Sequence, residues 1–266
     1  MGELVFVGLG LHDHRGLSLQ GLEEIRTAKA VFIELYTSLL PEFSTRSFGQ
    51  LSGKETRILN RKDLEEDNGK IVFESAKRGK TVLLVPGDPL IATTHVALRI
   101  EAQKRGIETR VVHGSSILSA AIGLSGLHSY KFGRTVTIPF ATENPSITPY
   151  SVIVENKKSG IHTLCLLDIM TEEKRFLSIG DALKTLLEIE SRKNAKAVTE
   201  DSLAVGVARA GSRNPTVRAG YVKTLLKKDF GDPPHTLIFP SSLHFMEAEA
   251  LIVLAGAPET VRRLVE

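Results

Sequence analysis

Short apolar runs alternate along the first half of the chain with segments whose apolar positions recur at helical spacing. Leu4-Val5-Phe6-Val7 predicts a buried strand ending in Gly8-Leu9-Gly10. Ser18 is placed to cap a helix carrying Leu22, Ile25 and Ala28. Val31-Phe32-Ile33 and Thr56-Arg57-Ile58-Leu59 predict the next two strands. A helix carrying Leu64, Ile71, Val72 and Ala76 is expected over 63–78, and Gly79 stops it before the strongest strand signal, Thr81-Val82-Leu83-Leu84-Val85. After Pro86-Gly87-Asp88-Pro89, a helix over about 94–104 leads to Arg110-Val111-Val112. Gly114-Ser115-Ser116 then opens a small-residue helix over 117–124. Strands separated by helices of this length argue for a parallel sheet with right-handed crossovers.

The pattern changes from about Gly133. Strands are expected over 135–138, 162–169, 203–208 and 236–239, and amphipathic helices over 178–193 and 245–255. The stretches 143–149 and 211–215 read as Pro-, Asn- and Gly-rich loops. The fold class is α/β: two α/β domains, 1–131 and 132–266, the first with a mainly parallel sheet and the second with a mixed one.

Composition narrows the function classes. With 42% apolar and 24% charged residues in 266, the chain is an ordinary globular protein with room for two domains. An excess of 34 Lys+Arg over 31 Asp+Glu makes no phosphate-binding stripe, and Lys157-Lys158 and Lys227-Lys228 read as solvated helix surface. Aromatics at 6%, with no Trp, supply few stacking platforms, so nucleic acid is not the expected partner. No apolar run approaches membrane-spanning length, and a cytoplasmic location is expected. The single Cys165 lies in the apolar run Leu164-Cys165-Leu166-Leu167 and reads as a small core residue.

The informative chemistry sits at the carboxyl ends of the predicted parallel strands, where open α/β sheets bind ligands. Gly8-Leu9-Gly10-Leu11, Pro86-Gly87-Asp88-Pro89 and Gly114-Ser115-Ser116 can together form one rim with backbone donors and one carboxylate, Asp88. The first turn is not a dinucleotide fingerprint, because Asp13 stands at the third glycine position. There is no Walker A motif, no G-x-S-x-G elbow, and no H-E-x-x-H or Cys/His pair, so no metal is expected. The plainer reading of Asp88 is a tight turn in which the carboxylate caps its own backbone.

In this order, Val7-Gly8-Leu9-Gly10, Gly87-Asp88-Pro89 and Gly114-Ser115-Ser116 resemble the tetrapyrrole methylase family, two-domain methyltransferases that use S-adenosyl-L-methionine. Within it, longer stretches resemble the branch that modifies translation elongation factor 2 in diphthamide biosynthesis. These are Leu35-Tyr36-Thr37-Ser38-Leu39, PGDPLIATTH at 86–95, Tyr130-Lys131-Phe132-Gly133, ARAGS at 208–212, NPTVRAGYV at 214–222, DFGDPPH at 229–235 and Glu247-Ala248-Glu249. Cobalamin-branch enzymes usually follow the first turn with Pro-Gly-Asp-Pro, where this chain has Leu11-His12-Asp13-His14.

The resemblance implies cofactor contacts at Leu11, Asp88, Ile91, Ser116, Ile117, Leu167, Ala210 and His235, in a cleft between the two domains, with S-adenosyl-L-homocysteine as product. Leu11 through Ile117 lie in or beside the three turns; Leu167, Ala210 and His235 rest on the resemblance alone. It further implies repeated methylation of the amino group of the 3-amino-3-carboxypropyl-histidine intermediate on elongation factor 2, and a homodimer. It identifies no catalytic base. The residues themselves leave three alternatives open: a methyltransferase of the same fold acting on a tetrapyrrole, a non-catalytic nucleotide- or RNA-binding regulator, and a dehydrogenase.

Overall fold

Residues 2–266 are described by a computed structural model. They divide into two compact units, one running to Ile117 and taking in Thr171–Glu173, the other comprising Leu118–Met170 and Lys174–Glu266.

In the first unit, strands β1 (Glu3–Gly8), β2 (Ala30–Glu34), β3 (Arg57–Leu59), β4 (Thr81–Val85) and β5 (Glu108–Val112) form one sheet in the order β3-β2-β4-β1-β5. Every pairing in it is parallel. Helices α1 (Leu19–Thr27), α2 (Thr45–Ser52), α3 (Lys70–Lys77) and α4 (Val96–Lys104) connect the strands. The strands are apolar on both faces because both faces are covered. Leu4, Phe6, Leu83 and Val85 pack with Val72, Phe73 and Ala76 of α3 and Leu98 of α4. The alternate residues Val5, Val7, Val82 and Leu84 pack with Ile25 of α1 and Phe48 of α2.

The second unit begins with α5 (Ile117–Ser125), whose first residue is counted with the first unit. Strands β6 (Val136–Ile138), β7 (Thr163–Leu167), β8 (Ile169–Met170), β9 (Arg175–Phe176), β10 (Leu203–Ala208), β11 (Thr216–Tyr221) and β12 (His235–Phe239) follow, with helices α6 (Thr148–Lys158), α7 (Ile179–Lys193), α8 (Val222–Leu225) and α9 (Phe245–Ala255). The main sheet has the order β11-β10-β12-β7-β6, and β8 pairs with β9 in a separate ribbon. Only the β6–β7 pairing of the main sheet is parallel, which makes it mixed. Tyr150 and Ile153 of α6 and Leu183 and Leu186 of α7 close its core over Cys165, Leu167, Ala204 and Leu237. The segment after α5 is tied to α9 through Glu247, which accepts hydrogen bonds from the His128 backbone N–H (2.8 Å) and Lys131 Nζ (3.0 Å).

Several elements differ from the sequence reading. The helix expected over 63–78 is interrupted at Asn68 and Gly69, both in left-handed conformation (φ 50° and 65°), leaving a π-helical turn at Lys62–Glu66 and α3. Residues 143–149 are not all loop: Thr148 and Pro149 start α6, where a proline costs nothing because first-turn N–H groups have no intrahelical partner. Strand β11 gave little signal, since its inward positions include Ala219 and it lies at the sheet edge. Helix α2 buries only Phe48 and Ser52, too thin an apolar stripe to register in the periodicity. No helix among the described residues is long and apolar enough to cross a membrane.

Cys165 lies on β7 at 0% exposure, and burial pushes its thiol pKa up. It is a packing residue. Cys165→Ser is therefore expected to cost about 1–3 kcal/mol by placing a hydroxyl in the core. Turnover of the folded variant should be unchanged, as chemical denaturation and activity measured side by side would show.

Candidate functional site

Strands β4, β1 and β5 are neighbours, so parallel pairing delivers their three glycine turns to the same sheet end. The first two turns are hydrogen-bonded to each other: Gly10 N–H donates to Gly87 O (3.1 Å) and Gly87 N–H to Gly10 O (2.7 Å). Gly10 and Gly87 hold φ of 73° and 71°, a region that favours glycine. The third turn packs backbone to backbone on the others. A Cβ on Gly8 would lie 2.6 Å from both Gly114 N and Gly87 O. Gly8→Ala is expected to push the turns apart at a cost of about 1–3 kcal/mol, read as a lower denaturation midpoint with a matching fall in ligand affinity at this rim.

Asp88 is 5% exposed at the centre of the rim. One carboxylate oxygen accepts from Leu90 N–H (3.0 Å), the turn-capping contact foreseen as its plainer role. The other lies 2.7 Å from His113 Nδ1, a largely exposed imidazole. The carboxylate is thus fixed in orientation. Leu11 and Ile117 are partly exposed, Ile91 is exposed, and Ser116 is partly exposed at the start of α5. Beside Gly87 the space is open, since a Cβ there would come no nearer than 3.9 Å to another atom, at Ser115 O. Leu11, Asp88, Ile91, Ser116 and Ile117 thus lie in or beside the three turns that parallel pairing brings to one end of the sheet, with Asp88 as the oriented carboxylate among them.

The second unit gathers the other three candidates at one end of its own sheet. Leu167 ends β7, His235 begins the antiparallel neighbour β12, and His235 pairs with Ala208, two residues before Ala210. Leu167 and Ala210 are buried, at 8% and 5% exposure. His235 has both ring nitrogens engaged: Nδ1 accepts from Ile179 N–H (3.4 Å) and Nε2 donates to Gly231 O (2.9 Å). Burial holds its pKa below the ordinary histidine value, against the pull of the Gly231 and Asp232 carbonyls, and the N–H donated by Ile179 fixes Nδ1 as the acceptor nitrogen.

Three groups escaped sequence reading. His113, partner of Asp88, had no signal beyond its place before Gly114. Glu34 and His95 form a fully buried pair, 3.1 Å apart; the only sign was a carboxylate closing the apolar run of β2. Glu247 is a buried hub in the second unit, and its nearest sign was the Glu-Ala-Glu stretch.

Residues 3–226 match the family model of the tetrapyrrole (corrin/porphyrin) methylases. The chain is similar to a diphthine synthase of Methanothermobacter thermautotrophicus, with 45% identity covering 97% of each chain. It is 46% identical to a diphthine synthase of Methanocaldococcus jannaschii, over 93% of this chain and 97% of that one. A crystal structure of diphthine synthase resembles it with a TM-score of 0.88 at 42% identity, covering 98% of this chain and 99% of the other.

Proposed function

The chain belongs to the tetrapyrrole (corrin/porphyrin) methylases and is a methyltransferase of the diphthine synthase kind, and from that premise we propose its substrate and its site. It transfers methyl groups from S-adenosyl-L-methionine to the amino group of the 3-amino-3-carboxypropyl-histidine intermediate on translation elongation factor 2, repeatedly, as a cytoplasmic homodimer. The cofactor contacts are Leu11, Asp88, Ile91, Ser116 and Ile117 in the first unit and Leu167, Ala210 and His235 in the second.

The observation that carries this reading is the convergence of three glycine turns around Asp88. The residues present fit the cofactor. Glycine backbone leaves open space beside Gly87, Leu11, Ile91 and Ile117 offer apolar surface for an adenine ring, and the Asp88 carboxylate can accept from ribose hydroxyls or face a cation. When bound, the cofactor supplies a methyl group already made electrophilic by the sulfonium. The work left to the protein is orientation, which can contribute roughly 7–11 kcal/mol. The attacking amine must be neutral, and desolvation of the amine on binding favours that form.

Titration calorimetry with S-adenosyl-L-homocysteine tests this assignment. Saturable binding at one site per chain is expected, and NAD should give no heat. Absence of S-adenosyl-L-homocysteine binding by folded protein would refute the site.

A further inference from the structure

The loop from Pro86 to His95 carries two of the proposed cofactor contacts, Asp88 and Ile91, and leaves β4 without regular structure until α4. At its start it is held by the paired hydrogen bonds between Gly87 and Gly10. Inside it, Thr93 Oγ1 donates to Pro89 O (2.9 Å), and Ala92 is held at φ 56°, unfavourable for a residue with a Cβ. Such a conformation persists only where the surrounding structure over-determines the backbone.

The fixed point at the far end is a buried polar pair. His95 is 1% exposed and Glu34 0%. Glu34 Oε1 accepts from His95 Nε2 (3.1 Å) and from Thr37 Oγ1 (2.5 Å), while Oε2 accepts from the backbone N–H groups of Tyr36 (3.0 Å) and Thr37 (3.1 Å). The Tyr36 ring meets the imidazole edge-on, with centroids 6.3 Å apart. One carboxylate at the end of β2 thus ties the turn after β2 to the end of the loop after β4. The two strands are neighbours, so both segments leave the sheet at the rim end.

We propose that Glu34 and His95 are a positioning pair for methyl transfer: they clamp the far end of the 86–95 loop and so hold Asp88 and Ile91 against the cofactor. Neither residue touches the reacting atoms. The inference rests on the cofactor site proposed above, but its structural half, the clamp, can be measured without any ligand.

The experiment compares wild type with His95→Ala and His95→Gln, the latter keeping a side-chain N–H donor toward Glu34. Amide hydrogen exchange, read by mass spectrometry on free protein, is expected to rise over 86–94 in His95→Ala while β1 and β4 stay protected. KM for S-adenosyl-L-methionine and Kd for S-adenosyl-L-homocysteine should both rise about tenfold, the equivalent of one buried hydrogen bond. The kcat should change by less than about twofold, because the lost interaction is one of binding. His95→Gln should recover most of the affinity, which a role in bulk packing would not produce. If His95→Ala does not fold, Glu34→Gln, which loses carboxylate acceptance, gives the same comparison. Unchanged exchange, or raised exchange with unchanged KM and Kd, would overturn the positioning role. The wild-type titration separates two failures: a wild type that ignores S-adenosyl-L-homocysteine sinks the cofactor site, whereas a binding wild type with unaltered variants sinks the pair alone.

Discussion

Glu247→Ala is expected to destabilise the protein by about 3–5 kcal/mol, lowering the melting temperature by on the order of 10 °C. The carboxylate is fully buried at the first turn of α9 and holds four donors. Oε1 accepts from the His128 N–H (2.8 Å) and His162 Nε2 (3.0 Å); Oε2 accepts from the His244 N–H (2.8 Å) and Lys131 Nζ (3.0 Å). Alanine would leave the Lys131 ammonium with only the Ser242 carbonyl, the His162 Nε2 without its acceptor, and the α9 capping box without its Glu247 half, although the His244 side chain would still cap Met246 N–H. Glu247→Gln, which keeps the shape and two acceptor lone pairs but not the charge, should lose less. Thermal and chemical denaturation of both variants measure the difference.

The same cluster sets an acid limit. Burial alone would raise the Glu247 pKa, but the backbone N–H groups of His244 and His128, with His162 and Lys131, outweigh it and hold the pKa at about 2, against an ordinary 4.5. The carboxylate's contribution is therefore complete above about pH 4.5 and is lost as pH falls toward 2. His162 acts earlier. Burial depresses its pKa below the ordinary 6.5 despite the hydrogen bond to Glu247, so below that pH the unfolded chain binds a proton the folded one resists. Stability should begin to fall below about pH 6.5 and fall again below 4.5. In His162→Asn the first decline should shrink.

Asp88→Ala is expected to weaken S-adenosyl-L-homocysteine binding by about 10- to 100-fold, the range for losing a hydrogen bond to a charged group. The fold should persist, because β1, β4 and β5 are held by ladder hydrogen bonds and by cores on both faces rather than by this turn. The carboxylate's bond to Leu90 N–H makes some loosening of the turn inevitable. Asp88→Asn separates the effects, since the amide oxygen can still cap Leu90 while the negative charge is gone. If the loss in Asn matches that in Ala, charge matters; if Asn binds like wild type, Asp88 acts only through the turn. Calorimetry on the three proteins distinguishes these outcomes.

Much of this architecture was legible because its physics is local. Strands β1 and β4 are continuous apolar runs, since a doubly covered parallel strand has no polar face, and the glycine turns mark their carboxyl ends. What could not be read were interactions joining residues far apart in sequence. Glu34 meets His95 across 61 positions and His162 meets Glu247 across 85; neither spacing carries a pattern in one chain. The edge strand β11 and the polar helix α2 escaped for a different reason, having too little buried apolar surface to mark their period. Leu167 and His235 illustrate a third limit. Each has an adequate structural role, in core packing or in closing a turn, so local chemistry alone gives no reason to propose either as a ligand.

The central claim is tested most directly by incubating the protein with isotopically labelled S-adenosyl-L-methionine and elongation factor 2 that carries the unmethylated 3-amino-3-carboxypropyl-histidine. The modified peptide is then weighed by mass spectrometry. Labelled methyl increments confined to that histidine, more than one per residue at long times, are the predicted result. A substrate peptide of unchanged mass, in the presence of protein shown to bind the cofactor, would contradict the account.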